Sequence, residues 1–194
     1  MKPQRLWIAR HAPVLLTPGT CYGRLDTPVD PATSAASAQR LAKMLPMGIQ
    51  ARHSPLQRCT LLAHQLQALR PDMAFAPDAR LVEMDFGSWE GQAWNAIARA
   101  DIDAWTARFV DHPPGGGENL AQMLDRVHAA LQQARRQPGD TLWISHAGVA
   151  RCVQWLLGAQ GQQGQRPTSA QWPVQAPAPG QWACYSLNGA NTAI

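Results

Sequence analysis

Along the chain, short apolar runs alternate with stretches whose apolar positions recur every three or four residues. Residues 5–10, RLWIAR, form a short apolar run that suits a buried strand. Pro13, Pro18, Gly19, Gly23 and Pro28 then mark a long loop over 11–30. Asp30 before Pro31 predicts a helix start, and that helix stops by Pro46. Residues 49–53 read as a second strand. Ser54 predicts an N-cap, with Pro55 in the first helical position and Gln57 completing a capping box. Cys59, Leu62, Leu66 and Leu69 give that helix an apolar stripe. Residues 73–76 and 80–83 are candidate extended segments, a turn falls at Gly87, and helical segments are expected within 89–109. Leu120, Met123, Leu124, Val127 and Leu131 mark an amphipathic helix over 118–135. TLWIS at 141–145 reads as a buried strand, followed by a helix over 148–157 that ends near Gly158. Residues 159–181, rich in Gln, Pro and Gly, predict a surface loop before a last strand near 182–187.

Strands alternating with helices predict an α/β fold. We expect one domain over residues 1–194, with a mostly parallel central sheet and helices on both faces. In such sheets ligands bind beyond the carboxyl ends of the strands. His11, Ser54, Glu83 and His146 all fall at or just after such an end, a coincidence harder to dismiss than any one residue.

Apolar residues make up 45% of the 194 and charged residues 15%, which excludes a disordered chain. No apolar run approaches the roughly 18 residues of a membrane span. The apolar stretch of MKPQRLWIARH is cut by Arg10 and His11, unlike a signal peptide. The expected setting is therefore cytoplasmic, with no membrane partner. Cys21, Cys59, Cys152 and Cys184 are too scattered for a metal or disulfide framework. His53, His64, His112 and His128 lack zinc-ligand spacing. The net charge of +4 comes from dispersed arginines rather than a dense run, so a small anionic partner is expected and nucleic acid is not.

A neutral imidazole at a strand end can attack phosphorus, and an adjacent guanidinium can hold phosphate oxygens; Arg10-His11 offers both. The competing reading is a surface pair at a strand–loop junction. Arg58 lies in the first turn of a helix, where free N–H groups favour anions; alone, it could equally be a solvated arginine. Protonation of a leaving alkoxide needs an acid, and Glu83, Asp85 and Glu90 in LVEMDFGSWEG all qualify. Spacing does not choose among them. Protonated His146 could donate to a phosphate, or it could be a satisfied strand-end histidine. Gly115-Gly116-Gly117 lacks the Lys-Ser/Thr of a phosphate loop and reads as a tight turn before a helix that Glu118 favours.

Taken together, LWIARHAPV, SPLQRC, LVEMDFGSWEG and WISHAGVAR occur in an order and spacing that resemble the histidine phosphatase superfamily, with its phosphoglycerate-mutase-like fold. The resemblance covers roughly residues 5–155. It implies that His11 is phosphorylated, that Arg10, Arg58 and His146 hold the phosphoryl group, and that Glu83 is the proton donor. CYGRLDTPVD and PPGGGENL look like the α-ribazole phosphatase group of cobalamin nucleotide-loop assembly. The implied activity is phosphomonoester hydrolysis through phosphohistidine, with no metal or cofactor and a small phosphorylated metabolite as partner. Thr17, Tyr22, Gly23 and Arg24 are candidate substrate contacts. Trp89, Trp94 and Trp105 could stack on the leaving group or belong to the core. Ala12 and Ala147 replace the family's usual glycines, and Thr17 its usual asparagine, which touches substrate identity rather than reaction type. The alternatives are a broad sugar-phosphate or phosphohistidine phosphatase, a phosphoglycerate-mutase-type transferase and a noncatalytic phospholigand module. The oligomeric state is open, a homodimer being one option.

Overall fold

The computed structural model describes residues 4–187. The first strand, β1 (Arg5–Arg10), alternates its side chains between two apolar layers. Leu6 and Ile8 enter one core, Trp7 and Ala9 the other. Strand β4 (Thr141–Ser145) does the same, with Trp143 facing the first core and Leu142 and Ile144 the second. Both strands run through the middle of a five-stranded sheet, where burial on two sides demands continuous apolar sequence. The remaining strands are β2 (Gln50–His53), β3 (Phe75–Pro77) and β5 (Trp182–Ser186), in the order β3-β2-β4-β1-β5. All pairs are parallel except β1 with β5. The single α/β domain with a mostly parallel sheet is as expected.

One face is covered by α1 (Pro31–Met44) and α2 (Gln57–Leu69). Asp30 caps α1 by accepting from the Thr33 N–H. The short α3 (Arg99–Ala107) lies in the stretch of turns that follows Gly87. The opposite face is covered by α4 (Leu120–Arg136) and α5 (Ala147–Leu157). Asn119 and Gln122 close a capping box on α4, and its predicted stripe is buried. No helix among the described residues is long and apolar enough to cross a membrane.

Four expectations need correction. Ser54 does not cap α2, because its hydroxyl is held by His146. Residues 55–56 stay out of the helix, Leu56 is the N-cap, and the Gln57 N–H donates to Asp26 Oδ1 at 2.8 Å instead. Leu69 is exposed, since the stripe of α2 turns away from the sheet in its last turn. The 80–83 segment is no strand: Asp78 accepts from the Arg80 N–H and folds Ala79–Leu81 into a 3₁₀ turn. Residues 159–181 hold the short α6 (Ala159–Gln162) and a 3₁₀ turn at Ser169–Gln171, and they bury Pro177 and Gly180.

Glu118 does more than favour a helix start. It receives both Nε and Nη2 of Arg126, at 2.6 and 2.7 Å, while Nη1 donates to the carbonyls of Arg80 and Val82 at 2.7 Å. Arg126 thereby anchors the chain just ahead of Glu83. Gly115, at φ 60°, lets the glycine turn press against the Phe86 carbonyl; a Cβ there would collide with it. The turn packs against the segment after Glu83, and the N–H groups of Gly116, Gly117 and Glu118 donate to backbone carbonyls.

Arg126→Met should destabilise the protein by about 2–4 kcal/mol, because it strands a half-buried carboxylate and two carbonyls. Urea unfolding of variant and parent checks this; a change below about 0.5 kcal/mol would contradict the anchoring role.

Candidate active site

Beyond the carboxyl ends of β1 and β4, the backbone of His11 donates to Ser145 O at 3.2 Å and sets two histidine rings side by side, centroids 5.2 Å apart. His11 is 1% exposed. Its Nδ1 lies 2.7 Å from Ala12 O. A carbonyl only accepts, so Nδ1 carries the proton and Nε2 keeps its lone pair. Burial pushes the His11 pKa from 6.5 down to about 3; the Ala12 carbonyl opposes this, and the charges of Arg58 and Arg10 reinforce it. The ring is neutral at neutral pH.

His146 is the N-cap residue of α5. Arg58 Nε approaches its Nδ1 at 3.4 Å, and guanidinium only donates, so Nδ1 is the acceptor. The proton then sits on Nε2, which donates to Ser54 Oγ at 2.9 Å, with Cys59 Sγ at 3.6 Å. Burial, then the charge of Arg58, holds the His146 pKa well below the usual histidine value. This corrects the expected protonated donor: in this structure His146 is neutral, with both nitrogens engaged by the protein.

Arg58 is no solvated helix residue; it is fully buried. Nη1 donates to Leu25 O at 2.8 Å and Nη2 to Gly23 O at 2.6 Å, while the guanidinium lies 5.6 Å from the Tyr22 ring centroid. Arg10 Nη1 donates to Pro177 O at 3.2 Å, and its Nε is buried without a partner.

The structure separates the three carboxylates that spacing left equivalent. Glu83 Oε2 accepts from the Gly148 N–H at 2.9 Å, in the first turn of α5, and Oε1 from the Met84 N–H at 3.1 Å. A Cβ at Gly148 would overlap Oε1, so the docking needs glycine there. Asp85 accepts from the Gly87 N–H at 2.8 Å and lies 3.7 Å from Arg24. Glu90 accepts from the N–H groups of Arg24, Leu25 and Phe86, which ties the 22–26 loop to the 86–90 turn. Only Glu83 borders a cavity of about 380 Å³ that Arg10 and His11 also line.

Arg58 and His146 sit behind His11 and do not line this cavity. Among the candidate substrate contacts, Tyr22 lines it. Gly23 contributes its carbonyl to Arg58, and Arg24 is exposed beside Asp85. Thr17 is exposed outside it, and Thr20 takes the lining position instead. Trp94 and Trp105 line the cavity, whereas Trp89 is buried with Cys21 and Ile97. Residue reasoning missed Arg151, Phe109 and Trp172 on the wall. Arg151 stands one turn after Ala147 in WISHAGVAR, a spacing that could have revealed it; nothing in sequence could have placed Trp172.

A family model, the histidine phosphatase superfamily (branch 1), matches residues 6–188. A metal-independent phosphoserine phosphatase of Arabidopsis thaliana is 30% identical over 127 residues, 62% of this chain and 52% of that one, so the chain spans about half its length. Phosphoserine phosphatase 1 of Hydrogenobacter thermophilus is 27% identical over 165 residues, covering 79% of this chain and 75% of the relative. A phosphoglycerate mutase structure from Thermus thermophilus superposes with TM-score 0.73 at 25% identity, covering 98% of each chain. A mycobacterial hydrolase shares the fold, with TM-score 0.77 at 20% identity over 100% of this chain and 89% of that one.

The depressed His11 value has a definite sign. Between about pH 6.5 and about 3 the unfolded chain binds a proton at this residue that the folded chain refuses, so stability is lost as pH falls through that window. The loss from His11 should reach a few kcal/mol. His11→Gln should flatten the fall in thermal midpoint between pH 6.5 and 4; an unchanged slope would contradict a neutral buried ring.

Proposed function

The chain belongs to the histidine phosphatase superfamily, and from that premise we propose that it is a metal-independent phosphomonoesterase that passes phosphate through phosphohistidine at His11. One observation carries the reading: a neutral His11, its Nδ1 tied to Ala12, borders one cavity with Arg10 and Glu83.

In the first step His11 Nε2 attacks phosphorus in line, and the bond from phosphorus to the ester oxygen breaks. Glu83 delivers the proton that the leaving oxygen takes up. Arg10 offers its unpartnered N–H to the phosphoryl oxygens. Arg58 contributes positive charge from behind the ring. His146 braces Arg58 and Ser54 from behind His11, through Nδ1 and Nε2. In the second step Glu83, now a carboxylate, takes a proton from the attacking water, the N–P bond breaks, and inorganic phosphate leaves. The arginines supply the charge that a metal supplies elsewhere.

For the leaving group, the aromatic wall favours a flat apolar body, and α-ribazole 5′-phosphate is the proposed substrate. Phe86 meets Trp94 edge-on at 5.4 Å and Trp105 at 6.0 Å, and Phe109 meets Trp172 at 6.0 Å. A base lying among these rings gains contact beyond its buried area. The second reading is phosphoserine, favoured by the activity in the names of the two matched relatives.

His11→Ala should abolish turnover of any phosphomonoester, and wild-type protein quenched in alkali after brief exposure to labelled substrate should carry an acid-labile phosphate. Substantial turnover by His11→Ala would sink the mechanism. Glu83→Gln should lower kcat about 10²–10⁴-fold for an alkyl phosphate and much less for p-nitrophenyl phosphate, whose leaving oxygen needs little protonation. Equal losses for both esters would remove Glu83 from that role.

A further inference from the structure

The segment before β5 bears on the Arg10-His11 pair through its backbone. Ala178-Pro179-Gly180-Gln181 has proline second and glycine third, the pattern of a type II turn. The Gln181 N–H closes the turn on Ala178 O at 2.9 Å, and Gly180 takes a φ of 75°. Ala178 and Pro179 are exposed, while Gly180 is buried. The Gly180 N–H has no part in closing the turn. It donates instead to His11 O at 2.9 Å and to Arg10 O at 3.2 Å. Gln181 O accepts from the Arg10 N–H at 2.9 Å, and Pro177 O from Arg10 Nη1 at 3.2 Å.

These contacts complete a grip on the His11 main chain from two sides. On the β4 side, Ser145 O accepts from the His11 N–H at 3.2 Å. On the other side the turn holds the His11 carbonyl, which fixes the peptide joining His11 to Ala12. The Ala12 carbonyl follows directly from that peptide and keeps the His11 ring proton on Nδ1, 2.7 Å away. The turn is itself backed by α1. Arg40 Nη2 donates to Gly180 O at 3.3 Å and to Ser37 Oγ at 3.2 Å. A Cβ at Gly180 would come within 2.5 Å of Ser37 Oγ, and the positive φ disfavours any L side chain. A residue larger than glycine would therefore displace the turn.

We propose that Gly180 is a positioning residue: by holding the His11 carbonyl, and through it the Ala12 carbonyl, it sets the aim of the His11 ring without touching substrate. The inference rests on His11 being the nucleophile of the proposed phosphatase and names the part that aims it. In-line attack is sensitive to placement, and about 1 Å of displacement costs on the order of a hundredfold in rate. Phosphate binding depends less on this turn, because Arg58 takes its support from the Gly23 and Leu25 carbonyls. Moving the turn therefore acts on kcat more than on phosphate affinity.

Gly180→Ala should lower kcat for p-nitrophenyl phosphate about ten- to a hundredfold. Isothermal titration with inorganic phosphate counts the competent sites, to which kcat is referred, and its Kd should change less than about threefold. Adding Ser37→Ala removes the hydroxyl that the new methyl meets and should restore part of kcat. If Gly180→Ala fails to fold, Pro179→Gly loosens the turn without crowding it and should show the same split at about two- to fivefold in kcat. Long-range proton–nitrogen NMR of the His11 ring reads its position without turnover: wild-type protein should carry the proton on Nδ1, and Gly180→Ala a mixture with Nε2. Parallel losses of kcat and phosphate affinity would overturn the proposal, making the turn a scaffold of the whole pocket. Unchanged kcat would overturn it as well, as would no recovery on adding Ser37→Ala. Wild-type protein that keeps the Nδ1 tautomer but releases no phosphate would sink the phosphatase reading, while the tautomer in Gly180→Ala would still decide whether the turn aims the ring.

Discussion

The buried guanidinium of Arg58 is the constraint on which the rest of the site depends. It is fully buried, and its partners are two carbonyls and an imidazole rather than a carboxylate. Burying a charge with only neutral acceptors is costly. The fold sustains it by bringing the 22–26 loop, the start of α2 and the end of β4 together around one side chain. The charge it keeps is uncancelled, and a phosphoryl dianion is the natural counter-charge.

Burial sets the state of both histidines, and that charge reinforces it. Burial disfavours their protonated forms, and the Arg58 charge disfavours them further. His11 is thereby a lone-pair donor at neutral pH without needing a base beside it. The same arrangement explains why Glu83 is held from elsewhere. Its carboxylate docks on the first turn of α5, and Arg126 clamps the backbone ahead of it. Glu83 and His11 belong to different chain segments, each fixed by its own contacts, and meet only across the cavity.

Much of this arrangement is legible in the amino-acid sequence. β1, α1, β4 and α5 announce themselves by apolar runs with capping residues or proline at their ends, because two-sided burial leaves little freedom in composition. Arg10, His11 and His146 stand out at strand ends, and the motif set adds Arg58 and Glu83, although the strand expected to end at Glu83 is a 3₁₀ turn. Ser54 is located by the same pattern but given the wrong task. A serine before Pro-Leu-Gln satisfies a capping pattern locally, and only the approach of His146, 92 positions along the chain, claims its hydroxyl. The 80–83 segment looks extended because its apolar residues are dense; the Asp78 side chain overrides them.

What the sequence by itself determined was the α/β class, the strand ends and the residue types gathered there, since these follow from local periodicity and from chemistry that few residue types can perform. What only tertiary structure decided was which of three carboxylates borders the cavity, which histidine tautomers form, and which aromatic residues wall that cavity. Those properties depend on partners far apart in sequence: Gly148 for Glu83, Arg58 for His146, and Trp172 brought beside Phe109. Hydrogen bonds and burial at such separations leave no local periodic trace, because they exist only once the sheet has aligned the strand ends.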